Sequence, residues 1–335
     1  MQKTHAQNSG LARQSAIFVL VISLLVALPI WSFAWSSAKA EPHDVPLGVA
    51  GAPAAVAPLK EALGQKQDAF SIHVYEDAAE AKAGIENREV YGAVIVTPSG
   101  IELMTASAAS PAVTQLLSGL VSKIAADQQV TVTDVVSSGA GPRGATLGVA
   151  ILPLVIVSAI AGVLVLFLAS TGWEQALGVF ASAILAGLIT VAIVQSWLGA
   201  LSGNWWANVG TVALMTASIT ASVVGFAAIF GRPGLGLTMA LMLFIANPWS
   251  GVMSAPELLP QPAGLLGQLM PPGAGGNLLR STAFFDGAGS GSFVLVLVIW
   301  LTLGLVGIAL GTRRTGGMIF ASKNTRRLET APAHS

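Results

Sequence analysis

The sequence predicts an α-helical polytopic membrane protein of six spans, with both termini in the cytoplasm and a small α/β extracytoplasmic domain inserted between spans 1 and 2. Three observations predict it. Only 10% of the 335 residues are charged and 53% are hydrophobic, with mean hydropathy +0.73, whereas a soluble domain carries about a quarter charged residues. Six windows, residues 16–34, 147–169, 176–194, 209–230, 235–253 and 293–311, contain no ionisable side chain, and each approaches the roughly 20 residues that cross a hydrocarbon core about 30 Å thick. The charge is concentrated elsewhere, with 12 of the 16 acidic and 7 of the 16 basic residues in 36–145.

Residues 1–15 form a short cytoplasmic N-terminus and 16–35 the first transmembrane helix. Ala38-Lys39-Ala40 has the small-x-small pattern of a signal-peptidase site. The apolar run before it is longer than the 7 to 15 or so residues of a leader, so this helix is expected to stay as an anchor. In 36–145, short apolar runs at 47–50, 70–75, 90–96, 101–105 and 130–136 alternate with helical patterns at 54–63, from Asp77, and at 112–126, which predicts a small α/β sandwich. Asp77 with Glu80, and Ser110 before Pro111, are helix-start signals. Val113, Leu116, Leu117, Leu120, Val121 and Ile124 fall on one helical stripe that can cover a sheet. Gly139, Gly141 and Gly144 formally fit G-x-G-x-x-G, but Pro142 and Arg143 lie inside the match and a span follows, so the stretch reads as a linker.

Residues 146–253 carry transmembrane helices 2–5. No ionisable residue separates Glu174 from Arg232, enough chain for two helices and a tight turn at 202–208. The fifth window contains Asn247, Pro248, Ser250 and Gly251, which predicts a short, broken or re-entrant helix. Residues 254–291 are rich in Pro and Gly yet too apolar for a free loop, so one or two interfacial helices are expected there. Residues 292–311 form the sixth span and 312–335 a basic tail. Lys3, Arg13, Arg232, Arg313, Arg314, Lys323, Arg326 and Arg327 then share the cytoplasmic side with Glu174 and Glu329, as the positive-inside rule requires. Trp31, Trp35, Trp205 and Trp206 fall at the outer interface and Trp173 at the inner one.

Chemistry is limited by what is missing. The chain has no cysteine, no Ser/His/Asp order around a nucleophile turn, no HExxH and no clustered metal ligands, so neither an enzyme nor a metal or cofactor site is expected. His73 alternates with Ile72 and Val74 and reads as a solvent-facing strand residue. Zero net charge argues against nucleic acid as a partner. The windows carry no ionisable group for proton coupling, and no P-loop is present, so a transported substrate would draw its energy from another chain. Gly307 and Gly311 have the spacing of a close helix contact, expected within the chain. Before the last span stand Pro271, Pro272 and Gly273, then Arg280 and Asp286, the only charges between Glu257 and Arg313. An ion pair or contacts with lipid headgroups would pin this loop.

Three stretches carry a resemblance: residues 74–81 (VYEDAAEA), 90–98 (VYGAVIVTP), and 269–275 (LMPPGAG) followed by Leu278-Leu279-Arg280. With one span, a large outer insertion and five further spans, the chain resembles the permease subunits of ABC-2 type exporters, and in particular the YhgE/Pip-like membrane proteins. The resemblance implies a dimeric permease in a bacterial plasma membrane, a separate cytoplasmic ATPase, and export of a hydrophobic or envelope-related substrate through a cleft between spans 2, 4 and 5. Glu174 and Trp173, in the brief turn between spans 2 and 3, are the candidates for the ATPase contact. The alternative is a non-transporting scaffold or receptor, with the α/β domain as its binding module.

Overall fold

Period-two alternation in the inserted segment becomes a five-stranded sheet. The computed structural model describes residues 2–64, 68–98, 100–124, 130–139 and 143–329. Strands β1 (Val45–Gly51), β2 (Phe70–Tyr75), β3 (Gly92–Thr97), β4 (Gly100–Thr105) and β5 (Val130–Asp134) stand in the order β2-β1-β3-β4-β5. β1 is parallel to β2 and β3, β3 pairs antiparallel with β4, and β4 is parallel to β5. Parallel neighbours need crossovers, supplied by α2 (Pro53–Gly64), α3 (Ala78–Glu86) and α4 (Pro111–Ile124).

Alternate strand residues face different layers, as the pleat dictates. Val45, Leu47, Val49, Val94 and Leu103 pack on Leu59 of α2 and on Val113, Leu117 and Val121 of α4, while Ala50, Ala93 and Ile95 pack on Ala81 and Ile85 of α3. Of the predicted α4 stripe those three residues are buried, Leu120 packs beside them, and Ile124 is exposed. Asp77 caps α3, accepting from the backbone amides of Ala79 at 2.9 Å and Glu80 at 2.8 Å; the Glu80 carboxylate accepts from the Glu76 amide rather than from Asp77. Asp77→Ala is expected to cost about 1 kcal/mol, seen as a lower thermal midpoint of the domain's unfolding; an unchanged midpoint would make the cap dispensable.

Among the described residues five helices are long and apolar enough to cross a membrane: α1 (Gln2–Ala38) over Phe18–Ala38, α5 (Arg143–Leu168) over Gly148–Leu168, α6 (Gly172–Val191) with a wide turn to Trp197, α7 (Trp205–Phe230), and α11 (Gly291–Glu329) over Gly291–Gly311. The sixth expected span is shorter. α8 (Arg232–Ala240) runs through a wide turn only to Ala246. Pro248 then removes a helical donor, Gly251 turns the chain at φ 66°, and single 3-10 turns follow at Pro248–Ser250 and Pro256–Leu258. Two further helices, α9 (Ala263–Gln268) and α10 (Pro271–Phe284), precede α11. Gly141 and Pro142 of the predicted linker lie outside the described residues, as do the side chains of Arg143, Lys3, Arg13, Arg313, Arg314, Lys323, Arg326 and Arg327.

α7 is the centre of the bundle, with 72% of its span buried against 6% for α1. Its small polar residues satisfy one another and their neighbours: Ser158 Oγ of α5 donates to Thr216 Oγ1, Thr220 Oγ1 to the Ser158 carbonyl, and Ser218 Oγ to the Leu297 carbonyl of α11. Against α11 the helices meet backbone to backbone. Gly304 lies on Ala221, Gly307 on Gly225 and Gly311 on Ala228. The predicted small-residue face is thus used inside the chain. α1 joins the rest at its C-terminal end, where Trp31 and Trp35 stack at 5.4 Å and meet Trp249 at 6.3 and 6.0 Å.

Candidate functional site at the domain–helix junction

A helix usually ends on a glycine in the left-handed region. α3 ends instead on Arg88, at φ 62°: the Arg88 amide donates to the Ile85 carbonyl at 3.0 Å and the Glu89 amide to the Gly84 carbonyl at 2.9 Å, the paired bonds of a Schellman motif. That backbone aims the guanidinium out of the domain and onto α10. Arg88 donates to the Asn277 carbonyl at 2.9 Å, to Asn277 Oδ1 at 3.1 Å and to Ser281 Oγ, and lies 5.3 and 5.7 Å from the ring centres of Phe285 and Phe293. Cation–π contact adds to these bonds.

Three more contacts close the junction. Tyr91 Oη donates to Glu257 Oε2 at 2.7 Å, the His43 amide to the Glu257 carbonyl at 2.8 Å, and Ser110 Oγ, which also accepts from the Val113 amide, to the Ser254 carbonyl at 2.6 Å. Apolar packing crosses the same boundary, for Ala255 and Leu258 belong to the α2/α4 core and Phe284 and Phe285 to the α3 core.

These residues surround a cavity of about 220 Å³ lined by Arg88, Tyr91, Glu257, Gln268, Asn277 and Phe293 among others. Asn277 donates to Gln268 Oε1 at 2.6 Å, and Gln268 to the Ser250 carbonyl at 2.8 Å. Arg280, one helical turn beyond Asn277, is 4% exposed and donates to the Val252 carbonyl. Burial lowers the Arg280 pKa to about 10 and lowers that of Arg88; both stay cationic at neutral pH. Burial also raises the Glu257 carboxyl and drives the Tyr91 phenol well above its ordinary value. The only ion pair among the described residues is Lys82–Glu86, on α3. Arg88 and Glu257 therefore meet neutral partners at the junction rather than a direct salt bridge, and Glu89 is a second carboxyl group on the cavity wall.

The other predicted residues are dispersed. Pro271 and Pro272 occupy the first turn of α10, where a missing amide costs nothing, and Gly273 packs on the Gly267 carbonyl. Within the segment expected to be interfacial, α10 is buried along most of its length against α7 and α11. Asp286 is exposed at φ 49° and makes no ion pair with Arg280, so the expected pairing of the two is absent. Trp173 is exposed, and the Glu174 carboxylate is occupied by the amides of Ser170 at 2.7 Å and Thr171 at 3.1 Å in a capping box. A second cavity of about 350 Å³ opens among α1, α5 and the break after α8, lined by Phe33, Ser36, Ile151, Asn247, Val252 and Leu259. Arg88, Tyr91, Glu257 and Asn277 escaped the sequence reading; the available signal was an arginine where a helix end calls for glycine. Among the described residues no group of His, Asp and Glu is placed to hold a metal.

Comparison with family models, with curated proteins and with solved structures finds no match to this chain.

Proposed function

We propose that the chain is a permease-like, non-enzymatic subunit of the ABC-2 exporter kind, dimeric and energised by a separate ATPase, which moves a hydrophobic or envelope-related substrate across a bacterial plasma membrane. The observation that carries this reading is the shared core. A domain whose two layers contain Ala255, Leu258, Phe284 and Phe285 cannot move independently of the bundle, so binding outside is mechanically tied to the helices. Six crossings with both termini inside fit the same reading. The α6–α7 turn meets α10 through Ser202 Oγ and the Ala283 carbonyl, on the domain's side, and the chain returns there from Arg232 through the short α8 to Ser254. Arg232 and Glu174 then share the opposite end.

One observation favours a second reading, a non-transporting scaffold or receptor. The turn between α5 and α6 holds only residues 169–171, and the Glu174 carboxylate is spent on its cap, leaving an ATPase little to grip. Affinity purification of tagged full-length protein in mild detergent separates the two. A stoichiometric P-loop ATPase is expected; recovery of envelope polymer or extracellular protein without one would move the assignment to the scaffold. Glu174→Ala should cost about 1 kcal/mol through loss of the capping box, measured as a lower melting midpoint. Loss of ATPase co-purification at unchanged midpoint would instead make Glu174 a coupling residue.

A further inference from the structure

The second cavity, of about 350 Å³, lies where three pieces of chain do not close on one another. The C-terminal end of α1 is held to the break after α8 by Trp31, Trp35 and Trp249, and the start of α5 by Gly148, whose backbone lies on Met253 and Val252. Open space remains between these two contacts. It sits at one end of the apolar stretches Phe18–Ala38 and Gly148–Leu168, the end joined to the α/β domain, where hydrocarbon gives way to headgroups.

The wall of this cavity is divided. Phe33, Leu152 and Met253 line it and are 40, 40 and 68% exposed, so its rim is apolar. Ser36, Ser37 and Asn247 supply the polar part. Ser36 Oγ is spent on the Phe33 carbonyl of its own helix, but the Asn247 side chain makes no hydrogen bond to the described residues, and a carboxamide both donates and accepts. No ionisable residue is among those lining the cavity. Lys39 and Glu41, the neighbouring charges along the chain, are exposed on either side of Ala40 and opposite in sign.

We propose that this cavity binds the uncharged, hydroxyl-bearing head of a neutral lipid of the diacylglycerol kind, with the hydroxyl on the Asn247 amide and Ser37 and the acyl chains leaving over Phe33, Leu152 and Met253. A carboxamide shielded from water needs a partner, and a hydroxyl can serve either its oxygen or its nitrogen. An ionised head would find no counter-charge in this wall, which costs more than a hydrogen bond returns. The apolar rim selects a lipid over a soluble polyol, because only acyl chains take that surface out of water. The inference concerns binding alone, goes beyond the export reading and holds whether or not the chain transports.

The test uses full-length protein in a neutral maltoside detergent, with its melting midpoint followed as lipid is titrated. Dioleoylglycerol is expected to raise the midpoint saturably, while dioleoylphosphatidylglycerol and the 3-acetyl ester of dioleoylglycerol, which lacks the free hydroxyl, leave it unchanged. Asn247→Leu should weaken the response about fivefold, the loss of one neutral hydrogen bond. Ser37→Trp, at an exposed position on the cavity wall, should abolish the response by filling the space, and it covers the case in which the Asn247 variant does not fold. An equal response to dioleoylphosphatidylglycerol would assign the effect to acyl chains, and an equal response to the acetyl ester would remove the hydroxyl from recognition; either overturns the proposal. So does an undiminished response in Ser37→Trp, which would put the lipid elsewhere on the protein.

Discussion

Gly304→Leu is expected to abolish accumulation of the folded protein, the largest effect of any single substitution considered. The backbone of Gly304 lies directly on that of Ala221 and Gly225, leaving no room for even a Cβ. Overpacking a well-filled core costs about 1–3 kcal/mol when side chains can yield; backbone cannot yield, so α7 and α11 would have to separate along their whole contact. That separation would also strip the Ser218 hydroxyl of its Leu297 acceptor. Size-exclusion chromatography in detergent, with fluorescence of the fused tag as readout, reports the outcome. Gly210→Leu is the control, because nothing stands within 4 Å of a Cβ there. Equal yields of the two variants would mean that the α7–α11 crossing is looser than described.

The second large effect is expected at Arg88 and depends on the replacement. Arg88→Ala removes three hydrogen bonds and two aromatic contacts while keeping a Cβ in the left-handed region, and should weaken docking of the domain by about 2–3 kcal/mol. Arg88→Gly loses the same contacts but relieves the left-handed conformation, which returns about 1 kcal/mol. Protease cleavage in the 36–145 segment reads the difference, with the order of resistance wild type, Gly, Ala. If Ala and Gly are cleaved alike, the backbone at Arg88 is not strained. If both resist as well as wild type, the apolar part of the junction is sufficient to hold the domain.

Much of the domain was legible because local signals agreed with the tertiary outcome. Asp77 and Ser110 both cap where expected, and each predicted strand run overlaps an observed strand. The break at Pro248 was legible for a similar reason: a proline without a donor acts through its own covalent geometry. The junction was hidden by sequence distance. Arg88 and Asn277, or Tyr91 and Glu257, carry no mutual signal, and a helix-ending arginine at φ 62° looks like any surface charge until its partner is in place. Glu174 shows the opposite risk. A lone acidic residue in a turn invites a partner, yet its carboxylate is consumed three and four residues away by the backbone of its own helix cap.

By itself the sequence determined that the chain carries long apolar helices around an inserted α/β segment, and which helix starts are capped, because hydropathy, capping and proline act over a few residues. Only the tertiary structure decided that the helix expected as the fifth span is short, that α10 is a buried element, and that Phe284 and Phe285 pack in the domain's core. It alone joined Arg88, Tyr91, Glu257 and Asn277 around one cavity. Those outcomes rest on long-range packing and on charges shielded from water, which no local pattern along the chain encodes.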